Sequence, residues 1–401
     1  MTRPPTPATF PRALARALAL VSAVLLALLS PVTGPAAYAD GIRDRQWSLE
    51  TLSAREAWET TRGAGVTVAV LDTGVDAGHP DLQGAVLEGK DIVGFGAEPG
   101  DEAWARHGTA MAGIIAARGH GADRAEGVIG IAPQARVLPV RVLLEEADPA
   151  RDQAREASGP SALAEGIRWA VDHGADVINL SLGDDSASAH PDPAEDAAVR
   201  YALSKGAVVV ASAGNGGEEG DPVSYPAAYP GVIAVTAVDR YGVRTPFSTR
   251  RWYATVAAPG QDVVIADPDR RYYQGWGTSA AAAAVSGVVA LVRSAHPELS
   301  PAQLKQVLAD TAAHTPAGGR SDALGTGVVN AAAALELAGT LDPQPHRPPS
   351  PAYAAEYFGS GPGPAGGPPG LWPAVGAGVL GVLFTAAAVG LYLRGRPPRR
   401  S

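Results

Sequence analysis

Five short aliphatic runs constrain the fold of this chain more than any other feature. They are VTVAVLD at 66–72, ARVLPVRVL at 135–143, DVINLSL at 176–182, AVVVASA at 207–213 and GVIAVTAV at 231–238. Each has the length of a strand, and each is too continuously apolar to leave one face in water. Helix-like stretches separate them at 108–117, 161–173 and 194–205, and two more follow at 280–293 and 301–311. Parallel strands need long crossovers, usually helical, so Val/Ile-rich runs alternating with helices imply a parallel sheet covered on both faces. The expected fold class over residues 66–340 is therefore α/β, a doubly wound, mostly parallel sheet with helices on both faces. The stretches 118–126 and 144–160 are rich in Gly, Pro and charge, and are expected to be surface loops.

The two ends of the chain read differently from the middle. Arg3, Arg12 and Arg16 precede the apolar run ALALVSAVLLALLS at 17–30, and Ala37-Tyr38-Ala39 supplies small residues before Asp40. That order is a secretory signal over 1–39, cleaved after Ala39; the run is shorter than the roughly 20 residues a membrane span needs. Residues 371–393, LWPAVGAGVLGVLFTAAAVGLYL, carry no charged side chain, and Trp372 and Tyr392 stand near the ends. At about 1.5 Å per residue this run can cross a hydrocarbon core of about 30 Å. Arg394, Arg396, Arg399 and Arg400 come directly after it, so the positive-inside rule makes 394–401 a cytoplasmic tail and puts the bulk of the chain outside. The fold class thus includes one C-terminal transmembrane helix. Within that helix, Ala374/Gly378 and Ala377/Gly381 have small-xxx-small spacing, which serves helix pairing but arises readily in any Ala/Gly-rich span.

Between the ends, residues 40–65 form an N-terminal extension too short to bury a core of its own, and so expected to wrap the main domain. Residues 341–370 are a linker in which Pro recurs (PQPHRPPSP, GPGPAGGPPG), an extended and semi-rigid tether. Removing the three leader and four tail arginines takes the formal charge from −9 to −16, which argues against nucleic acid as a partner. The chain has no Cys, excluding disulfides, thiolate metal sites and a cysteine nucleophile.

Three segments carry the chemistry. Val70-Leu71-Asp72-Thr73-Gly74 is a buried strand ending in a carboxylate, where sites form in open α/β sheets. His107-Gly108-Thr109 opens one helical run, and Gly277-Thr278-Ser279 opens another. A serine hydroxyl is a weak nucleophile until a base takes its proton, histidine titrates in the right range to be that base, and a buried carboxylate fixes the histidine tautomer. A tetrahedral oxyanion also needs donors held in place. Asn215, in Ser212-Ala213-Gly214-Asn215-Gly216, offers its side-chain amide, and Ser279 its backbone N–H at a helix start.

Taken together, DTGVD, HGT, SAGN and GTSAAAAAVSG, in that order over roughly 66–335, resemble the subtilisin-like serine proteases. The Asp…His…Ser order is that family's. The resemblance implies a subtilisin-like fold, a catalytic triad of Asp72, His107 and Ser279, Asn215 as oxyanion donor, and Ser181-Leu182-Gly183 as the segment that pairs with substrate backbone. The phrases AWETTRGAGVTVAVLDTGVDAGHPDL, HGTAMAGIIAAR and GVIGIAPQARVLPVRV are similar to mycosins, the subtilisin-like proteases associated with type VII secretion in actinobacteria. These likenesses imply a membrane-anchored, single-pass serine endopeptidase with its catalytic domain outside, acting on protein or peptide substrates, with the type VII secretion machinery as a partner. The alternative is a structural component of a secretion complex whose proteolysis is dispensable. A peptide-binding pseudoenzyme is a third reading.

The chain also departs from the family pattern, with Ala280, Ala283 and Ala284 where a larger residue, a proline and often His or Tyr are usual, which bears on packing at the start of the serine helix. Mycosin-type cysteines are missing. The chemistry requires no cofactor and no metal ligand is assigned; Asp76 and Asp81 have a spacing that could serve a structural calcium ion, although solvated loop carboxylates are the commoner case. Each candidate alone has a plain reading as well: Asp72 in an Asx turn, Ser279 as a helix cap, Asn215 as a turn residue. His79, His120, His173 and His190 sit in loop-like contexts and are assigned no role.

Overall fold

The computed structural model describes residues 41–186 and 188–346. The expected leader (1–39), residues 347–370 of the linker, the apolar span (371–393) and the basic tail (394–401) lie outside the described residues. In chain order the elements are helices α1 (Ser48–Thr51) and α2 (Ala54–Ala57), strands β1 (Thr67–Asp72) and β2 (Lys90–Asp91), helix α3 (Arg106–Ala116), strands β3 (Arg118–His120), β4 (Glu126–Ile129) and β5 (Arg136–Arg141), helix α4 (Arg151–Asp172), strand β6 (Val177–Leu180), helix α5 (Pro193–Ser204), strands β7 (Val208–Ser212), β8 (Ile233–Val238), β9 (Ala254–Pro259), β10 (Val263–Ala266) and β11 (Tyr272–Gly275), and helices α6 (Thr278–Ala295), α7 (Pro301–Asp310) and α8 (Ala331–Ala338).

Seven strands form one sheet in the order β2-β5-β1-β6-β7-β8-β9, and every pairing in it is parallel. The order reverses beside β1, so crossovers leave the sheet in both directions and cover both faces. Alternation along β1 shows the consequence. Val68 and Val70 belong to the core that includes α3 and α6, whereas Leu71 points the other way, against Gly166 of α4. All five expected strands are present. Strand β9 was not legible: its sequence, ATVAAP, is short, alanine-rich and ends in proline, and it is held in the sheet by pairing with β8.

Two expected loops are ordered elements. Residues 118–126 belong to an antiparallel pair, β3 with β4, joined through a 3₁₀ turn at Ala122–Arg124. The stretch 144–160 is a loop only as far as Ala150; α4 begins at Arg151 and runs through Gly159-Pro160. Gly-Pro reads as a breaker, but the second half of the helix buries Ala162, Leu163, Ala164, Ile167 and Ala170 between the sheet and α5, and that packing outweighs local preference. Three helix starts are locally encoded: Asp192 caps α5, Ser300 forms a capping box with Gln303 at α7, and Asn330 caps α8.

Residues ahead of β1 pack on the domain. Leu49, Leu52, Ala54 and Ala57 are buried in the main core, and the Trp58 indole donates to the Ile131 carbonyl at 2.8 Å. Among the described residues one helix, α6, is long and apolar enough to span a membrane, but it is 83% buried within the fold and is the domain's central core helix.

Candidate active site

Asp72 is the last residue of β1, at the carboxyl end of the sheet, and its side chain is fully buried. Its Oδ1 accepts from the Thr73 N–H at 2.7 Å, which fixes the carboxylate plane. Helix α3 brings His107 to it. A Cβ on Gly108 would sit 1.9 Å from the Gly74 carbonyl, so only glycine lets the helix start lie against the backbone that follows β1. Arg106 adds an ion pair to Asp267 at 2.7 Å. The result is a two-pronged contact: His107 Nδ1 lies 2.8 Å from Asp72 Oδ1 and 2.9 Å from Oδ2. Nδ1 must carry the proton to donate there, so in the neutral imidazole Nε2 is the free base.

Ser279 is the second residue of α6. Gly277 turns the chain from β11 into that helix with φ +140, a backbone region that favours glycine. The Ser279 hydroxyl donates to the Ser181 carbonyl at 3.0 Å and makes no hydrogen bond with His107; the Ser181 hydroxyl donates back to the Ser279 carbonyl at 2.9 Å. Buried Asn179 supports the pair, donating to Ser181 Oγ at 2.9 Å and accepting from Ser286 of α6 at 3.0 Å. The end of β6 and the start of α6 are therefore held in one register.

The Asn215 amide is oriented by two donors. Thr278 N–H and Thr278 Oγ1 both donate to its Oδ1 at 3.0 Å, which leaves the Nδ2 hydrogens as the free end of the group. Beyond β6, Ser181-Leu182-Gly183 continues without strand partners, and the Leu182 carbonyl accepts from Ser212 Oγ at 3.2 Å. His107, Ser279, Asn215 and Ser181-Leu182-Gly183 all line one cleft of about 380 Å³, with Asp72 buried behind it. A roomier groove of about 700 Å³, with Arg118, Arg124 and Arg136 in its wall, lies at the opposite ends of β1 and β5. The paired base and carboxylate, rather than size, single out the smaller cleft.

Glu145 and Arg151 also line this cleft, and sequence reasoning passed over both. Glu145 Oε1 accepts from the His107 N–H at 2.7 Å and from Thr73 Oγ1 at 2.6 Å. The available signal was position: VLLEE comes directly after β5, at the same carboxyl edge as Asp72. The His107 pKa is raised. Burial is the largest single influence and works against the imidazolium, but the charge and hydrogen bond of Asp72, with the charge of Glu145, together outweigh it; Arg151 opposes them.

Asp76 and Asp81 have separate partners. Asp76 Oδ1 accepts from the Gly78 N–H at 2.9 Å. Buried Asp81 is taken up by His120 at 2.6 Å, the Tyr272 hydroxyl at 2.8 Å and the Val128 N–H at 2.9 Å, so His120 has a packing role that its sequence context hid. His79 is likewise fully buried, and burial lowers its pKa. Among the described residues no group of three or more His, Asp or Glu side chains is arranged to hold a metal ion.

The family model described as Subtilase family matches residues 63–330. A thermophilic serine proteinase from Bacillus sp. (strain AK1) is 44% identical over 240 residues, covering 59% of this chain and 55% of that protein, so the chain spans about half of that relative's length. Among solved structures, MycP1 from Mycobacterium smegmatis is similar with a TM-score of 0.65 and 30% identity, over 78% of this chain and 89% of that one. The MycP3 protease from the type VII (ESX-3) secretion system is similar with a TM-score of 0.60 and 34% identity, over 72% and 87%.

Proposed function

The chain belongs to the subtilase family, and from that premise we propose that it is an extracytoplasmic serine endopeptidase acting on exported or surface proteins. One observation carries the reading: His107 is held by Asp72 through Nδ1 and lines the same cleft as Ser279 and Asn215. In this mechanism the substrate lies extended along Ser181-Leu182-Gly183. Rotation about χ1 takes the Ser279 hydroxyl from the Ser181 carbonyl to His107 Nε2. Oγ then attacks the scissile carbonyl carbon and its proton passes to Nε2, giving an imidazolium stabilised by Asp72. The oxyanion is met by Asn215 Nδ2 and the Ser279 N–H. Collapse breaks the C–N bond as Nε2 returns the proton to the leaving amine, and water, deprotonated by the same nitrogen, hydrolyses the acyl-enzyme.

The leader at 1–39 and the charge-free run at 371–393 with its trailing arginines support export and single-pass anchoring, with 394–401 cytoplasmic. Likeness to the MycP3 protease from the type VII (ESX-3) secretion system and to MycP1 from the ESX-1 type VII secretion system supports association with type VII secretion. The burial of residues 49–57 in the main core supports an extension that is part of the peptidase domain.

The test is labelling of the full chain with a fluorophosphonate, which forms a bond only with an activated serine oxygen. Wild type is expected to label. Ser279→Ala should not label, should keep the wild-type circular dichroism and should lose more than about 10³-fold in peptide hydrolysis. A folded wild-type chain that fails to label would sink the peptidase reading and leave the structural component of a secretion complex as the better account.

A further inference from the structure

Helix α3 begins without a local cap. Its N-cap residue, Ala105, has no polar side chain and stands in the left-handed region at φ 54. The first N–H groups of a helix need acceptors, and the helix start favours negative charge. Glu145, four residues past the end of β5, supplies both from another element. One carboxylate oxygen, Oε1, accepts from the His107 N–H at 2.7 Å and from Thr73 Oγ1 at 2.6 Å. Thr73 Oγ1 in turn accepts from the Gly108 N–H at 3.1 Å, and the Thr73 N–H donates to Asp72 Oδ1. A short chain of hydrogen bonds thus runs from the loop after β5, through the residue next to Asp72, to the peptide groups on both sides of His107.

We infer that Glu145 is a positioning residue for His107: its carboxylate caps the helix that presents the histidine and completes the charge around the imidazole. The inference deepens the peptidase reading and rests on it. Three charged groups act on the ring from three elements: Asp72 from β1 and Glu145 from the loop after β5 favour the imidazolium, and Arg151 from α4 opposes it. Glu146 and Asp185 line the same cleft and add to its acidity. The neutral imidazole is the working base, so a raised His107 pKa places the acid limb of the rate profile at higher pH. Removing the charge of Glu145 must move that limb down.

Two substitutions separate the roles. Glu145→Gln keeps an oxygen able to accept both hydrogen bonds and removes the charge; Glu145→Ala removes both. The primary measurement is the titration midpoint of the His107 imidazole by NMR in the full chain, in Ser279→Ala and in Ser279→Ala/Glu145→Gln, where no turnover is needed. The expected result is a lower midpoint in the double variant. With Ser279 intact, the acid limb of kcat/KM in Glu145→Gln should move down with it. Glu145→Ala should lose about five- to tenfold in kcat with a smaller change in KM, and Glu145→Gln should recover most of that loss. A His107 midpoint that Glu145→Gln leaves unmoved overturns the inference whatever the rates do. A lowered midpoint in a chain that fails to label with fluorophosphonate would instead count against the peptidase reading alone.

Discussion

Carboxylates withdrawn from solvent, fully at Asp72 and in part at Glu195, do different work in this domain according to their partners. Asp72 is fully buried yet fixed by a backbone N–H and an imidazole. Glu195, in the first turn of α5, has a tyrosine as its hydrogen-bond partner: the Tyr229 hydroxyl donates to Oε2 at 3.1 Å. Burial is the largest influence on Glu195 and, with the nearby charges of Asp192 and Asp184, raises its pKa from 4.5 to about 7 despite that hydrogen bond. The folded state therefore holds the proton more tightly than the unfolded state. Stability from this group is full below about pH 4.5 and is lost as pH rises through about 7. Glu195→Gln, which keeps an acceptor for Tyr229, should match wild type near pH 5 and exceed it at pH 8 by about 1–2 kcal/mol, allowing for partial solvent exposure. Urea unfolding at the two pH values checks this; an equal difference at both would assign the effect to packing.

At the scale of elements, α6 explains the departures seen at 280, 283 and 284. Ala280, Ala281, Ala282, Ala283 and Ala284 are all buried, and this small-residue surface packs in the main core shared with α3 and the sheet. Gly287 continues it: a Cβ there would stand 2.6 Å from the Ile131 Cβ. Gly287→Ala should gain about 1 kcal/mol in helix propensity and lose about 1–3 kcal/mol to overpacking, for a net loss. A thermal midpoint equal to wild type or higher would show that the helix can retreat without cost. Elements also mark the limit of reading by pattern. The five aliphatic strands were legible because their burial is written in consecutive residues. Strand β9, the β3–β4 pair and the first turns of α4 were not, because alanine-rich or Gly/Pro-containing stretches carry no period, and their partners lie elsewhere in the chain.

At the scale of the whole domain, the two sides of the described chain meet. The Ala331 N–H at the start of α8 donates to the Leu52 carbonyl at 2.8 Å, and Leu52 is 0% exposed. The Trp47 indole reaches the Asp262 carbonyl at 3.1 Å, and Gln46 exchanges hydrogen bonds with Ile129. Residues ahead of β1 thus share the core of the peptidase domain. Leu52→Ala should cost about 2–5 kcal/mol in a single unfolding transition. A separate early transition, or a stable fragment from residues 40–65 released as activity appears, would mean that this segment folds apart from the domain.

The sequence by itself determined the sheet-and-helix class and the residue types able to do acyl-transfer chemistry, because aliphatic runs and motifs are local. It also placed Asp72 at a strand end and His107 and Ser279 at helix starts. Only the tertiary structure decided which groups meet. The Asp72–His107 contact joins residues 35 apart, and the Thr278–Asn215 contact joins residues 63 apart. Glu145 reaches the His107 backbone across 38 residues. No local pattern encodes such contacts; they exist because parallel crossovers carry the ends of β1, β5, β6 and β7 to one edge of the sheet, where α3 and α6 begin.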